Sequence, residues 1–210
     1  MENRVTFRSG EYKIEGLFGK INQESGVVIT HPHPLYGGEM YNYIVEAIVN
    51  AYQKKGFSTL RFNFRGVGKS QGQQDDISGN QEDVKAAVSY MANTGIKNIS
   101  LAGYSFGAWI NAHIDCDTAG ISQMVMVSPP VNFLKFDNIS SIPCLKLVVC
   151  GDKDEFAQEE LVKKMTSGWN PEAKVEIIPN TDHFYGLSLR NLEIILENFL
   201  GAERSTSSQF

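Results

Sequence analysis

Residues 96–114 read IKNISLAGYSFGAWINAHI, a β-branched apolar run, a serine between two glycines and a second apolar segment of helical composition. Residues 103–107, GYSFG, fit the G-x-S-x-G pattern. In that pattern a sharp strand-to-helix turn exposes a serine hydroxyl, and the glycines let the two backbones approach closely. The stretch therefore predicts a strand, a strained turn and a helix, with Ser105 as a nucleophile.

A second match to the same pattern, GKSQG at residues 68–72, lacks this context. Ser70 follows RGVG and precedes QQDD, so neither a strand nor an apolar helix adjoins it. Residues 63–70, NFRGVGKS, also resemble the end of a phosphate-binding loop. Asn63 replaces the first glycine of that loop, and carboxylates follow where a phosphate would bind. We therefore expect a glycine-rich turn here and no nucleotide.

The surrounding sequence alternates short apolar runs with segments of helical spacing, which predicts βαβ units and a mostly parallel sheet with helices on both faces. Residues 4–7 and 12–18 flank Ser9-Gly10 and predict an antiparallel hairpin at the sheet edge. In such sheets, binding sites form beyond the carboxyl ends of the strands. The strand runs are residues 27–30, 57–62, 99–102, 124–127, 145–150 and 175–178, and the main helical patterns are 40–54, 82–91 and 189–200.

Length and composition fit one globular domain, which we place at residues 1–200, followed by a loose polar tail at 201–210. The net charge of −5 argues against nucleic-acid binding. The three cysteines, an odd number without a CxxC pair, predict neither a disulfide framework nor a zinc site. No apolar run is long enough for a signal peptide or a membrane span, so we expect a cytoplasmic protein.

A serine nucleophile needs a base and an orienting carboxylate. His183 follows the run at 175–178 and is the expected base, whereas His113 lies within the helix after the serine. Asp154, in GDKDE after the run at 145–150, is the preferred acid, with Asp152 as the second choice and a helix N-cap as the alternative role for Asp154. The order Ser, Asp, His is the one found in α/β-hydrolases.

These motifs together identify a resemblance over nearly the whole chain. The segments VVITHPHPLYGG, RFNFRGVGKSQG, GYSFGA, GDKDEF and TDHFYG resemble the short capless bacterial α/β-hydrolases with an HPHP-x-x-GG loop. These are related to the dienelactone-hydrolase and acylaminoacyl-peptidase-like groups and are mostly predicted carboxylesterases. The resemblance implies Ser105, Asp154 and His183 as the triad and the HPHP segment as the oxyanion loop.

The HPHP loop departs from the family pattern because Pro32 stands where a glycine is usual. Oxyanion stabilisation needs backbone N–H donors, and proline has none. We therefore expect Phe106 to supply one N–H, and Leu35, slightly preferred, or His33 or Tyr36 to supply the other. The two histidines of the loop have no third ligand at a sensible spacing, so we expect no metal.

Residues 128–143 are too few for a helical cap, so the site should be open or covered only by side chains. We expect substrate contacts from Tyr36, Tyr104, Phe133 and Phe136. We expect a monomer or homodimer without a cofactor, acting on a small-molecule ester through an acyl-enzyme. Peptide, thioester or lactone hydrolysis, or a binding protein on a hydrolase scaffold, are the alternatives.

Overall fold

The computed structural model describes residues 1–74 and 77–207, and its sheet is assembled from eight strands in that part of the chain. The strands are β1 (Asn3–Ser9), β2 (Tyr12–Gly19), β3 (Ser25–Thr30), β4 (Ser58–Phe62), β5 (Asn98–Tyr104), β6 (Ile121–Val127), β7 (Leu145–Gly151) and β8 (Lys174–Ile178). Their order in the sheet is β1-β2-β4-β3-β5-β6-β7-β8. Strands β1 and β2 form the predicted antiparallel hairpin, β2 is antiparallel to β4, and the remaining pairs are parallel.

Helices cover both faces of the sheet, as the alternating sequence pattern predicts. They are α1 (Tyr43–Lys54), α2 (Ile77–Asn93), α3 (Phe106–Ala112), α4 (Cys116–Ala119), α5 (Glu159–Trp169) and α6 (Leu189–Ser207). One core cluster packs α1 and α6 against the sheet, and the other packs α2, α3 and α5. The strands are buried on both faces: in β3, Val27 and Ile29 belong to one cluster and Val28 to the other.

Cys116 and Cys144 form a disulfide, so the expectation that the chain has none is wrong. Cys116 begins α4, and Cys144 directly precedes β7. The two cysteines are 28 residues apart in sequence, but α4 leads into β6, which pairs with β7, and their Cα atoms lie 6.2 Å apart. An odd cysteine count requires only that one remain unpaired, and here the free thiol is the buried Cys150.

The C-terminal end also differs from the sequence prediction. Helix α6 continues to Ser207, through most of the segment expected as a loose tail, and residues 208–210 lie outside the described residues. None of the described helices is long and apolar enough to cross a membrane.

Candidate active site

Ser105 occupies a sharp turn between β5 and α3, as the opening motif predicts. Its backbone φ of 54° and ψ of −117° lie outside the usual regions for a non-glycine residue. Glycine is needed on both sides of Ser105 because the chain is closely packed there. A Cβ on Gly103 would lie 2.5 Å from Asn111 Nδ2, and one on Gly107 would lie 2.6 Å from the Thr30 carbonyl oxygen. The glycines of the motif therefore allow the close packing that holds Ser105 in its strained conformation.

The structure brings Ser105, His183 and Asp154 into one hydrogen-bonded chain. The Ser105 Oγ lies 2.9 Å from His183 Nε2, and His183 Nδ1 lies 2.9 Å from each oxygen of Asp154. All three side chains are buried. This arrangement lets the Ser105 hydroxyl donate to the imidazole while the imidazole N–H donates to the carboxylate.

Asp154 lies in the loop after β7, where it also receives the backbone N–H groups of Phe156 and Ala157 on Oδ1, at 3.0 and 2.8 Å. Burial acts to raise the pKa of Asp154, but hydrogen bonds, chiefly from His183, outweigh it and hold the pKa below its usual range. Asp152, the alternative acid, instead accepts the Thr181 N–H at 3.2 Å and so braces the loop that carries His183.

Two residues that line the cavity at Ser105 have a backbone N–H group without a hydrogen-bond partner among the described residues. In the part of the chain that the structure describes, the N–H groups of Phe106 and His33 make no backbone or side-chain hydrogen bond, and both residues line the cavity at Ser105. The Leu35 N–H donates to His33 Nδ1 at 3.2 Å, at the start of a 3-10 helix over Pro34–Tyr36, and Leu35 does not line that cavity. The geometry therefore favours His33 over Leu35 as the second donor.

The two histidines of the HPHP segment have different surroundings. His31 is fully buried, where its Nδ1–H donates to the Pro32 carbonyl and its Nε2 accepts the Phe64 N–H. The His33 imidazole packs against the rings of Phe106 and Tyr36, with centroids 4.6 and 5.4 Å away, and burial lowers its pKa.

An open cavity of about 360 Å³ lies beside Ser105 and is lined mainly by apolar and aromatic side chains. Tyr36, Tyr104 and Phe133, three of the four expected substrate contacts, line it. Phe136 does not, so that prediction is wrong: it is buried in the core, where it stacks on Trp169 with ring centroids 5.1 Å apart. Lining residues that the sequence analysis missed include Asn42, Tyr43, Pro130, Leu134, Phe156 and Phe184.

The competing motif at residues 63–72 has a structural role. The Ser70 hydroxyl donates to the Asn63 carbonyl at 2.7 Å and accepts the Glu15 N–H at 3.1 Å, which ties the loop after β4 to β2. His113, the C-cap residue of α3, does not line the cavity at Ser105, and its Nδ1 lies 2.8 Å from the Trp109 carbonyl. Among the described residues, no group of three or more potential ligand side chains could hold a metal ion.

Comparison with known proteins identifies the family of the chain. Residues 25–199 match the family model described as an alpha/beta hydrolase domain. The chain belongs to the alpha/beta hydrolase family. A protein of Rickettsia prowazekii (strain Madrid E) is 31% identical over 209 residues, covering 94% of this chain and 88% of its own.

Solved structures of alpha/beta serine hydrolases share the fold over nearly the whole chain. A homologue from Coxiella burnetii is 32% identical, with a TM-score of 0.85 over 93% of this chain and 96% of its own. A serine hydrolase without lid from Xanthomonas campestris has a TM-score of 0.84 at 24% identity, over 96% and 94% of the two chains. In this alpha/beta hydrolase, residues 128–144 join β6 to β7 without a helix, so no helical cap is inserted between these two strands.

Proposed function

We propose that this alpha/beta hydrolase is a serine esterase that cleaves carboxylic esters of small or short-chain acyl groups. The observation that carries the proposal is the hydrogen-bonded chain of Ser105, His183 and Asp154 at the wall of an apolar cavity. A hydroxyl, an imidazole and a carboxylate in this order are what nucleophilic acyl transfer requires.

In the first half of the reaction, the Ser105 hydroxyl attacks the ester carbonyl and passes its proton to His183 Nε2. The Phe106 and His33 N–H groups donate to the oxyanion that develops. His183 then gives the proton to the leaving alcohol, which departs and leaves an acyl group on Ser105. Asp154 holds the imidazole in the required tautomer and stabilises its cation.

In the second half, His183 Nε2 takes a proton from water, and the resulting hydroxide attacks the acyl carbonyl. The carboxylic acid leaves as His183 returns the proton to the serine oxygen. Both halves use one base and one oxyanion site, so the chemistry needs no further group from the chain.

The size and lining of the cavity support the proposal that the acyl group is small. Its walls supply aromatic and aliphatic surface from residues such as Phe133, Leu134 and Phe156, and its volume suits a short chain or a single ring. We expect the turnover of p-nitrophenyl esters to be highest for acetate to hexanoate and to fall at dodecanoate. Thioesters, lactones and aminoacyl amides, presented to the same enzyme, test the alternative acyl bonds.

The nucleophile is tested by Ser105→Ala, with Ser70→Ala as the matched control because Ser70 is the buried serine of the other G-x-S-x-G match. We expect Ser105→Ala to lose at least about a thousandfold in kcat for p-nitrophenyl acetate. It should also lose covalent labelling by a fluorophosphonate, while Ser70→Ala keeps both. Undiminished turnover in Ser105→Ala would exclude the mechanism, and a folded wild-type protein that takes no label would favour a non-catalytic scaffold.

A further inference from the structure

Two tyrosine hydroxyls hold the main chain at His183. This histidine lies in the loop of residues 179–188, between β8 and α6. The carbonyl groups of His183 and Phe184 accept no backbone N–H group of the described residues. Instead, the Tyr104 hydroxyl donates to the His183 carbonyl at 2.9 Å, and the Tyr43 hydroxyl donates to the Phe184 carbonyl at 2.5 Å.

Tyr104 ends β5 and directly precedes Ser105, so consecutive residues contact His183 at its two ends. The Ser105 Oγ lies 2.9 Å from the imidazole Nε2, and the Tyr104 hydroxyl binds the main-chain carbonyl. Strand β5 lies in the interior of the sheet, between β3 and β6, and Tyr104 is buried. His183 is therefore tied through Tyr104 to the same strand that positions Ser105.

Tyr43, the first residue of α1, ties the next residue of the loop to a second element. The Phe184 ring packs edge-on against the His183 imidazole, with centroids 5.6 Å apart and planes at 90°. Phe184 is 57% exposed, so packing alone holds it weakly. The hydrogen bond from Tyr43 therefore restrains the segment that borders the imidazole.

The loop depends on such contacts because its backbone is strained. Asn180 and Tyr185, on either side of His183 in the sequence, have φ values of 53° and 55°. Non-glycine residues keep this conformation only where the surrounding structure enforces it. Hydrogen bonds of Thr181 with the loop after β7 hold the beginning of the segment, and the two tyrosine hydroxyls hold the carbonyls of His183 and Phe184.

Both hydroxyls use their proton on the loop, because a carbonyl oxygen can only accept. Burial raises the pKa of Tyr104 and that of Tyr43 above the ordinary value, so both residues are protonated near pH 7 and remain donors. The rings of both residues line the cavity at Ser105. Each tyrosine thus combines two separable features, a ring in the cavity wall and a hydroxyl on the main chain of the loop.

We propose that the hydroxyls of Tyr104 and Tyr43 are positioning groups, which fix the main chain at His183 so that its imidazole stays within hydrogen-bond reach of Ser105. The proposal rests on the esterase function above. Neither hydroxyl exchanges a proton with the substrate. Both act through His183, whose distance from the serine oxygen determines how readily the proton is transferred.

The test is the hydrolysis of p-nitrophenyl acetate by Tyr104→Phe and Tyr43→Phe, which keep the ring and remove only the hydroxyl. Loss of one buried hydrogen bond should lower kcat of Tyr104→Phe about tenfold. Tyr43→Phe should lose about threefold, because Phe184 is exposed and water can replace the donor. KM should stay unchanged in both, since His183 is the base in both halves of the reaction and acylation and deacylation slow together.

Labelling by a fluorophosphonate separates positioning from a loss of folded protein. The rate of labelling at Ser105 should fall with kcat, while the number of sites labelled at completion stays that of the wild type. A purely structural role would give the opposite pattern, with fewer labelled sites and an unchanged kcat per labelled site.

The matched controls are Tyr52→Phe, at a fully buried tyrosine whose hydroxyl has no partner among the described residues, and Tyr41→Phe, at a tyrosine that is 42% exposed outside the cavity lining. Both should keep the wild-type kcat and labelling rate. The proposal is overturned if kcat per labelled site in either hydroxyl variant stays within the range of these controls, or if KM rises while kcat is unchanged. Should Tyr104→Phe not fold, Tyr43→Phe decides by the same measurements. Failure of the esterase function is distinguishable, because the wild-type protein would then show no hydrolysis dependent on Ser105.

Discussion

Acidification should destabilise this protein through His31, and His31→Gln should remove that part of the pH dependence. The imidazole is fully buried and makes two hydrogen bonds, Nδ1 to the Pro32 carbonyl at 2.7 Å and Nε2 to the Phe64 N–H at 3.1 Å. Nε2 can accept only while the ring is neutral. Burial is the main cause that lowers the pKa of His31 to about 4, against a smaller opposing effect of the Pro32 hydrogen bond.

The direction of the pH effect follows from the pKa of His31 in the unfolded and folded states. In the unfolded chain His31 takes up its proton near pH 6.5, and in the folded protein only near pH 4. The unfolded state therefore binds more protons between these values, so the stabilisation is complete above pH 6.5 and is lost as the pH falls towards 4. At 1.36 kcal/mol per pKa unit, the whole window corresponds to about 3 kcal/mol, of which about 2 kcal/mol is already lost at pH 5.

The assay is urea unfolding of the wild type and His31→Gln at pH 8 and pH 5. Glutamine offers the Phe64 N–H an acceptor oxygen and does not titrate, so the variant should lose about 2 kcal/mol less than the wild type between the two pH values. Ile48→Val, a fully buried substitution on another element, controls for general destabilisation, and its loss with pH should equal that of the wild type. Equal losses in wild type and His31→Gln would show that the folded protein accommodates a charged His31, and the predicted contribution of His31 to acid destabilisation would then be wrong.

Four further substitutions test the cavity wall, the core, the turn and the disulfide. Phe133→Ala should raise KM for p-nitrophenyl butyrate without lowering the melting temperature, because Phe133 is 54% exposed in the cavity wall. Phe136→Ala should instead lower the free energy of unfolding by about 3–5 kcal/mol in urea titrations and leave KM unchanged, because Phe136 is buried in the core. Gly103→Ala should destabilise by about 1–3 kcal/mol in thermal unfolding and reduce kcat, since the added Cβ would displace neighbours 2.5–2.7 Å away. Cys144→Ser should lower the free energy of unfolding by about 2–4 kcal/mol under oxidising conditions and leave it unchanged under reducing conditions, because it removes the disulfide with Cys116. Thiol titration of the unfolded wild type should give one free cysteine, Cys150.

The positions of the central residues could be predicted from the sequence because each follows a recognisable strand. Parallel strands bring their carboxyl ends to one edge of the sheet, so the residues just beyond them become neighbours without any knowledge of side-chain packing. Ser105, Asp154 and His183 follow β5, β7 and β8 in this way. Their contact is a consequence of topology, which hydrophobic periodicity encodes strongly.

The cavity walls could not be predicted equally well, because they depend on which side of a loop faces inward. Phe136 and Phe156 lie in loops after neighbouring strands, and neither has a periodic pattern around it. Phe156 packs on His183 with ring centroids 4.8 Å apart, whereas Phe136 turns away onto Trp169 of α5. Similarly, the 3-10 helix after His33 directs the Leu35 N–H back to the His33 ring. The Cys116–Cys144 pair likewise depends on where α4 lies relative to β7.

The HPHP segment lacks the usual glycine, but its residues position one backbone N–H group at the cavity by other means. Prolines at 32 and 34 leave His33 with the only backbone N–H of residues 32–34. The turn is closed behind it, since the Tyr36 and Gly38 N–H groups both donate to the His33 carbonyl, and a Cβ on Gly38 would lie 2.1 Å from the Pro32 carbonyl oxygen. His31 fixes the other end through its bonds to Pro32 and Phe64. Stiff residues and a buried neutral histidine thus hold one N–H at the cavity, and this rigidity replaces the freedom that a glycine would give.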